Sequence, residues 1–437
     1  MIMIQPSSSR IVLIGRFDRG LFPGEQRVAA AGALAFCGPL AYKLTMLKSR
    51  LYLIFTLLAA LCFGCGGAAE EEPAETAAAA GQQYLAYFGT YTGGENAGKG
   101  IYAYRFDSAT GKMTEIGLAA EVASPSFVAI HPNNKYLYAV TEDFSGEGAV
   151  SAFAIDHESG KLTLLNQVSS KGSGPCHLNV DATGKMLAVA NYGAGSTSSY
   201  QVNADGTLSE AVSVIQHVGS SADERRQTAP HAHSVNFSPD NRFVITADLG
   251  TDKLYVYKAD PASGKIEPND PPAGEVKPGS GPRHFTFHPS GKFCYAINEM
   301  GNTVTAFNWD AARGAMQEIQ MISTLPAGYA ETTHTAEVRA HPSGKFLYGS
   351  NRGHDSIAVF SVDQATGMLT AVEQVSTGGQ APRNFDLDPT GKYLFAENQN
   401  SNTVVAFAID QESGKLTPTG DVLNVPRPVC LRWVPVS

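Results

Sequence analysis

H-P-N-N-K-Y-L-Y, from His131 to Tyr138, returns as D-A-T-G-K-M-L-A from Asp181 and S-P-D-N-R-F-V-I from Ser238. It comes back as H-P-S-G-K-F-C-Y from His288, H-P-S-G-K-F-L-Y from His341 and D-P-T-G-K-Y-L-F from Asp388. The prolines fall at 132, 239, 289, 342 and 389, and Ala182 stands in the remaining copy. The period is about 50 residues, in the range of propeller repeats. Each copy has one grammar. A short apolar strand runs into a Pro/Gly turn, and a strand of alternating aromatic and aliphatic residues follows. A third strand ends near an Asp, as at 149–156, 303–310, 356–363 and 403–410, and a turn such as S-G-K-L-T leads to a fourth. Four strands per repeat make a propeller blade, and radial packing hides most of its sheet edges.

Third strands number seven once 100–107, 196–203 and 253–260 are added, yet the proline-turn element appears six times. The chain enters at Tyr84 to Tyr91 without its own inner strand, and 428–434 is a lone strand at the other end. The economical solution is that the C-terminal strand completes the first blade. The sequence therefore predicts an all-β domain over 82–437, a seven-bladed β-propeller closed by that strand.

The first 80 residues differ in character. Met46 to Arg50 is a short basic run, Leu51 to Leu61 is apolar, and L-C-F-G-C ends at Cys65 before an acidic, Ala-rich tract. The apolar run is too short to span a bilayer and has the length of a signal peptide's core. The segment 46–65 resembles a bacterial lipoprotein signal with Cys65 as the lipidated residue, although Cys62 and Phe63 are larger than is usual there; a plain secretory signal cleaved nearby is the alternative. Residues 66–81 read as a flexible linker, and 1–45 as an over-called start ahead of Met46 or a disordered extension. The expectation is an exported protein, membrane-associated only through a lipid on Cys65. In the body, Cys176, Cys294 and Cys430 are an odd number with no zinc or disulfide spacing, and read as buried free thiols. The net charge of -9 and the lack of a basic stripe exclude a nucleic-acid groove.

Function is sought where the copies disagree. The inner strand starts, and the second strand ends, at the same mouth of a propeller channel. Those places lie six or five residues before each proline and nine or ten after it. Before it stand Ser126-Phe127, Cys176-His177, His233-Ser234, Arg283-His284, Ala336-Glu337 and Arg383-Asn384, with His231 just upstream in P-H-A-H. After it stand Thr141-Glu142, Asn191-Tyr192, Asp248-Leu249, Asn298-Glu299, Asn351-Arg352 and Asn398-Gln399. Asn191, Asn298, Asn351, Asn398 and Asp248 recur in register and read as structural, as do His131, His288 and His341. The unmatched His, Arg and Glu side chains form a mixed-charge, anion-competent ring of the kind expected at a ligand site.

G-T-Y-T-G-G at 89–94, P-H-A-H at 230–233, G-P-R-H at 281–284, N-E at 298–299, S-N-R-G at 350–353 and A-P-R-N-F at 381–385 resemble the bacterial seven-bladed lactonase family. That family includes the propeller type of 6-phosphogluconolactonase and, more distantly, carboxy-muconate lactonizing enzymes. The resemblance implies hydrolysis of an acidic sugar lactone by a set mapping onto His231 or His233, Arg283, Arg352 and Glu299. Around it His177, His284, Glu337, Arg383 and Glu142 are expected to bind substrate. Asn384, where similar sequences often have Asp, is one departure. The export signal is another, because pentose-phosphate chemistry is cytosolic. Lactone opening needs an activated water and a stabilised oxyanion. His233 or Glu299 can serve as base and then acid, while Arg283 and Arg352 hold the acidic group or the oxyanion. No cofactor is implied, and H-A-H lacks a third ligand for a metal. A non-catalytic binding propeller and a muconate-type cyclase are the competing readings.

Overall fold

The computed structural model describes residues 81–94 and 96–436. The expectations for 1–45, for the 46–65 signal and for all but the last residue of the 66–81 linker lie outside the described residues. Twenty-eight strands form seven four-stranded antiparallel sheets, the blades of a propeller, and no helix occurs among the described residues. In six blades the strands follow chain order from the channel outward. Blade 1 differs as expected. Its inner strand is Pro428–Pro435, paired antiparallel with Gln83–Thr90, so that Leu85 faces Val434 and Tyr87 faces Arg432. Phe106 packs edge-on against Phe395 of blade 7 and lies 4.9 Å from the Trp433 ring, so the closing strand also seals the seam between first and last blades.

Burial explains the local patterns. The second strands Met186–Asn191, Phe243–Asp248 and Phe293–Asn298 are buried at every residue, which suits continuous apolar runs covered on both faces. The outer strand Leu208–Gln216 alternates half-buried and exposed after its first residue, as a strand with one wet face must.

The repeated turn carries two devices. The residue before Lys or Arg adopts positive φ in every copy: Gly184 at 70°, Gly291 at 68°, Gly344 at 74° and Gly391 at 71°. Asn134 at 61° and Asn241 at 58° fill the two copies without glycine. Gly and Asn are the residues that tolerate this region. The motif histidine then reaches the following blade. Nε2 of His131, His288 and His341 lies 2.8, 2.9 and 2.7 Å from the carbonyls of Gly184, Gly344 and Gly391. Tyr87, Tyr138, Tyr295 and Tyr348 repeat this further out, each hydroxyl donating to a glycine carbonyl of the next blade's outer hairpin. The histidines and asparagines that recur in register are structural in this way. Asn298 Nδ2 donates to Thr303 and Thr305 within its blade, and Asp248 lies 2.6 Å from His217.

Candidate active site

At the channel mouth where inner strands begin, the register slips by one residue in blade after blade. Pro175 faces Asn191 but His177 faces Ala190, which leaves Cys176 without a partner. The same bulge leaves out His233 between Ala232 and Ser234, Arg283 between Pro282 and His284, and Arg383 between Pro382 and Asn384. A bulge re-aims the side chain of its extra residue. Here all four extra residues turn into the channel mouth, where Cys176, His233 and Arg383 line a cavity of about 230 Å³ and Arg283 an adjoining crevice. These four belong to the column six residues before the proline. The column ten residues after it supplies Glu142, Tyr192, Glu299 and Arg352 to the same cavity.

Glu299 is the hub. Its Oε2 accepts from Arg283 Nε at 3.1 Å and Arg352 Nη2 at 2.8 Å, and its Oε1 accepts from Arg226 Nη2 at 2.8 Å. Arg283 and Arg352 also donate, each at 2.8 Å, to the carbonyls of Ala336 and Thr335 on the neighbouring inner strand. Burial alone would raise the Glu299 carboxyl. The charges of Arg352 and Arg283 and the hydrogen bond from Arg226 outweigh it and hold the group well below the usual carboxylate range. Arg383, on the other wall, stands over the Tyr91 ring at 5.4 Å and makes no hydrogen bond among the described residues. Glu142 accepts from the Tyr91 hydroxyl at 2.8 Å. Cavity and crevice together carry Arg226, Arg283, Arg352 and Arg383 against Glu142 and Glu299, four positive charges to two negative. Such a site favours an anion.

The structure separates the two histidines of P-H-A-H. His233 is buried and faces the cavity. Burial, then the charge of Arg283, keeps its imidazole well below the ordinary value, so it is neutral at pH 7. His231 precedes the strand and is absent from the cavity wall. Its ring stacks on Tyr192 at 4.5 Å, and its Nδ1 lies 3.0 Å from the Tyr192 carbonyl. Its place is to support Tyr192. The Cys176 thiol lies 3.7 Å from His233 Nδ1, and burial pushes it up, so it stays protonated. The expectation of buried free thiols holds for all three cysteines, although Cys176 also forms part of the cavity wall.

One residue along, the side chains lie a layer deeper. His284 reaches only the adjoining crevice. Its Nδ1 is 3.0 Å from Glu337 Oε2 but out of line for a hydrogen bond. Glu337 lines neither space; its carboxylate accepts from Asn384 Nδ2 at 2.7 Å. His177 packs on Phe127 at 3.9 Å and lines a separate cavity of about 390 Å³, with Arg339 and Arg432. Of the ten side chains expected at the site, seven reach the mouth; His231, His177 and Glu337 do not. Arg226 and Tyr91 were missed. Arg226 sits on the loop 217–231, outside the repeat, and Tyr91 belongs to the one blade without the proline motif, although G-T-Y-T-G-G had marked it. A larger cleft of about 570 Å³ lies beside the turns, but His131 and Gly184 in its wall are already engaged with each other.

Fold and site together define a propeller with a neutral histidine set beside an arginine–glutamate cluster in its channel mouth. Residues 85–433 match the family described as "Lactonase, 7-bladed beta-propeller". The 6-phosphogluconolactonase of Bacillus subtilis is 39% identical over 306 residues, 70% of this chain and 85% of that protein. The 6-phosphogluconolactonase of Formosa agariphila is 35% identical, over 69% of this chain and 86% of its own length. The structure of the periplasmic gluconolactonase of Pseudomonas aeruginosa matches with a TM-score of 0.76 at 33% identity, over 81% of this chain and all of that one. The chain belongs to the seven-bladed β-propeller lactonase family.

Proposed function

We propose that this protein hydrolyses a sugar lactone at the bulge-lined mouth, with His233 as general base and then acid. The observation that carries this reading is a buried imidazole opening onto a cavity and an adjoining crevice that together hold four guanidiniums, two of them fixed by Glu299 and by main-chain carbonyls. Water positioned at His233 gives up a proton to the imidazole as its oxygen bonds to the lactone carbonyl carbon. Negative charge develops on the carbonyl oxygen, and Arg352 and Arg283 are placed to stabilise it. The ring C–O bond then breaks, and the imidazolium returns the proton to the departing alkoxide. Glu299, ionised and bonded to three arginines, is a poor base; it fixes the guanidiniums. Arg383 and Glu142 line the wall available to the rest of the sugar. Two relatives named 6-phosphogluconolactonase and a neighbour named gluconolactonase support lactones of gluconic acid type as first candidates. A pH-stat assay with glucono-1,5-lactone and 6-phosphogluconolactone tests the reading. Turnover that falls at least about 100-fold in His233→Ala is the expected result, and saturable binding without ring opening would replace it with a binding propeller.

We also infer that segment 46–65 directs export, a reading that the neighbour named periplasmic supports, and that Cys65 is lipidated. Palmitate labelling of the full chain in a bacterial host, lost in Cys65→Ala, checks it.

A further inference from the structure

Three arginines hold Glu299, but they are not equivalent. Arg283 and Arg352 rise from strand ends and bulges, and each is tied to a main-chain carbonyl as well as to the carboxylate. Their side chains are 3% and 17% exposed. Arg226 is 37% exposed and bonds only two side chains, Glu299 Oε1 and, at 3.3 Å, the Tyr192 hydroxyl. Its backbone, in contrast, is fixed. Asp223 Oδ1 accepts from the amides of Arg225 and Arg226, while the buried Gln227 donates to the Leu249 carbonyl and accepts from the Asp223 amide. A long, partly exposed side chain is thus carried on an anchored turn. If Arg226 leaves, Glu299 keeps two guanidiniums. Arg383, which makes no hydrogen bond among the described residues, lines the same cavity. Neither side chain is held by the main chain.

We propose that Arg226 is the specificity-determining arginine of this site: it exchanges Glu299 for an anionic substituent of the substrate, phosphate or carboxylate, and grips it together with Arg383. The inference rests on the lactonase reading for its substrate, but not for its test. Open-chain acids probe the grip without turnover. Titration calorimetry is run on the wild type and Arg226→Gln with gluconate, 6-phosphogluconate and glucarate. The wild type should prefer 6-phosphogluconate or glucarate, each with a second anionic group, over gluconate, and Arg226→Gln should cut that preference roughly 10- to 100-fold, the range of one charge-assisted hydrogen-bond set. The ligand with the larger loss identifies phosphate or carboxylate as the group gripped. In hydrolysis, the ratio of kcat/KM for the anionic over the neutral lactone should fall by a similar factor, chiefly through KM. A preference unchanged within about twofold in a variant of wild-type Tm, or no preference in the wild type, overturns the proposal. If the wild type opens no lactone, the lactonase reading falls while the titration still decides the role of Arg226.

Discussion

The two ends of each inner strand are built on opposite rules. At the turn end, His131, His288 and His341 do one job with one residue type, because the partner in each case is a glycine carbonyl of the following blade. At the mouth end, side chains from different blades and loops bond one another. Glu299 of blade 5 holds Arg352 of blade 6 and Arg226 from the loop before blade 4. A shared backbone partner keeps copies alike, whereas a shared side-chain partner forces them apart. The contrast predicts that mouth substitutions damage rate before stability and turn substitutions damage stability before rate.

The largest effect should come from His233→Ala: a loss of at least about 100-fold in kcat/KM, with Tm close to wild type, measured by pH-stat kinetics and calorimetry. Because His233 is held neutral, its rate profile should stay flat from pH 7 to below 6.5 and fall only when the folded imidazole finally protonates. An acid limb centred at 6.5 or above would remove His233 as the base. Stability has its own acid signature. His177, His233 and His284 are all depressed, by burial first, then by like charges nearby. The unfolded chain binds protons near pH 6.5 that the folded one refuses, so stability is full above that value and falls as pH drops through it. Each proton that the folded chain excludes adds a slope that rises toward about 1.4 kcal/mol per pH unit as the unfolded imidazole fills below pH 6.5, readable from urea midpoints between pH 7 and 5.

The turn end gives smaller, graded effects. His131→Ala should destabilise by about 1–2 kcal/mol while activity persists. His341→Ala should cost less, because Gly391 still accepts from Gln411 Nε2, whereas the Gly184 carbonyl loses the one side chain bonded to it. Equal losses would mean that the latches act through packing and not through hydrogen bonding. Glu397 supplies the mildest test. It is fully buried in the core near blade 1, neither oxygen has a partner among the described residues, and burial, then Asp386, raises its carboxyl well above the ordinary value. The stability it retains at acid pH is lost as pH rises from the unfolded carboxyl value upward. The advantage of Glu397→Gln over wild type should therefore grow between pH 5 and 8 in thermal melts.

The fold was almost wholly legible, since the proline-turn copies fixed the blade grammar and the missing seventh copy pointed to Pro428–Pro435 as the closing strand. The mouth was legible as a ring but not as layers. Cys176 and His177, or Arg283 and His284, are adjacent letters of comparable chemistry. Only the one-residue register slip decides which of each pair lines the cavity and which lies beneath it. No pattern of apolar and polar residues marks that slip, because the bulge satisfies geometry at the strand end and leaves the strand's alternation intact further in. Arg226 escaped because a column comparison is blind to a loop that occurs once.

Closure by the last strand also sets a timetable. Leu85 and Val434, partners in one ladder, are made about 350 residues apart. At 5–20 residues per second the first waits roughly 20–70 s for the second. Through that interval the strand Gln83–Thr90 exposes a complete edge of donors and acceptors, a template for any passing strand. The ring therefore closes only once Pro428–Pro435 has been made, and a chain without that strand is left with one sheet open to strangers.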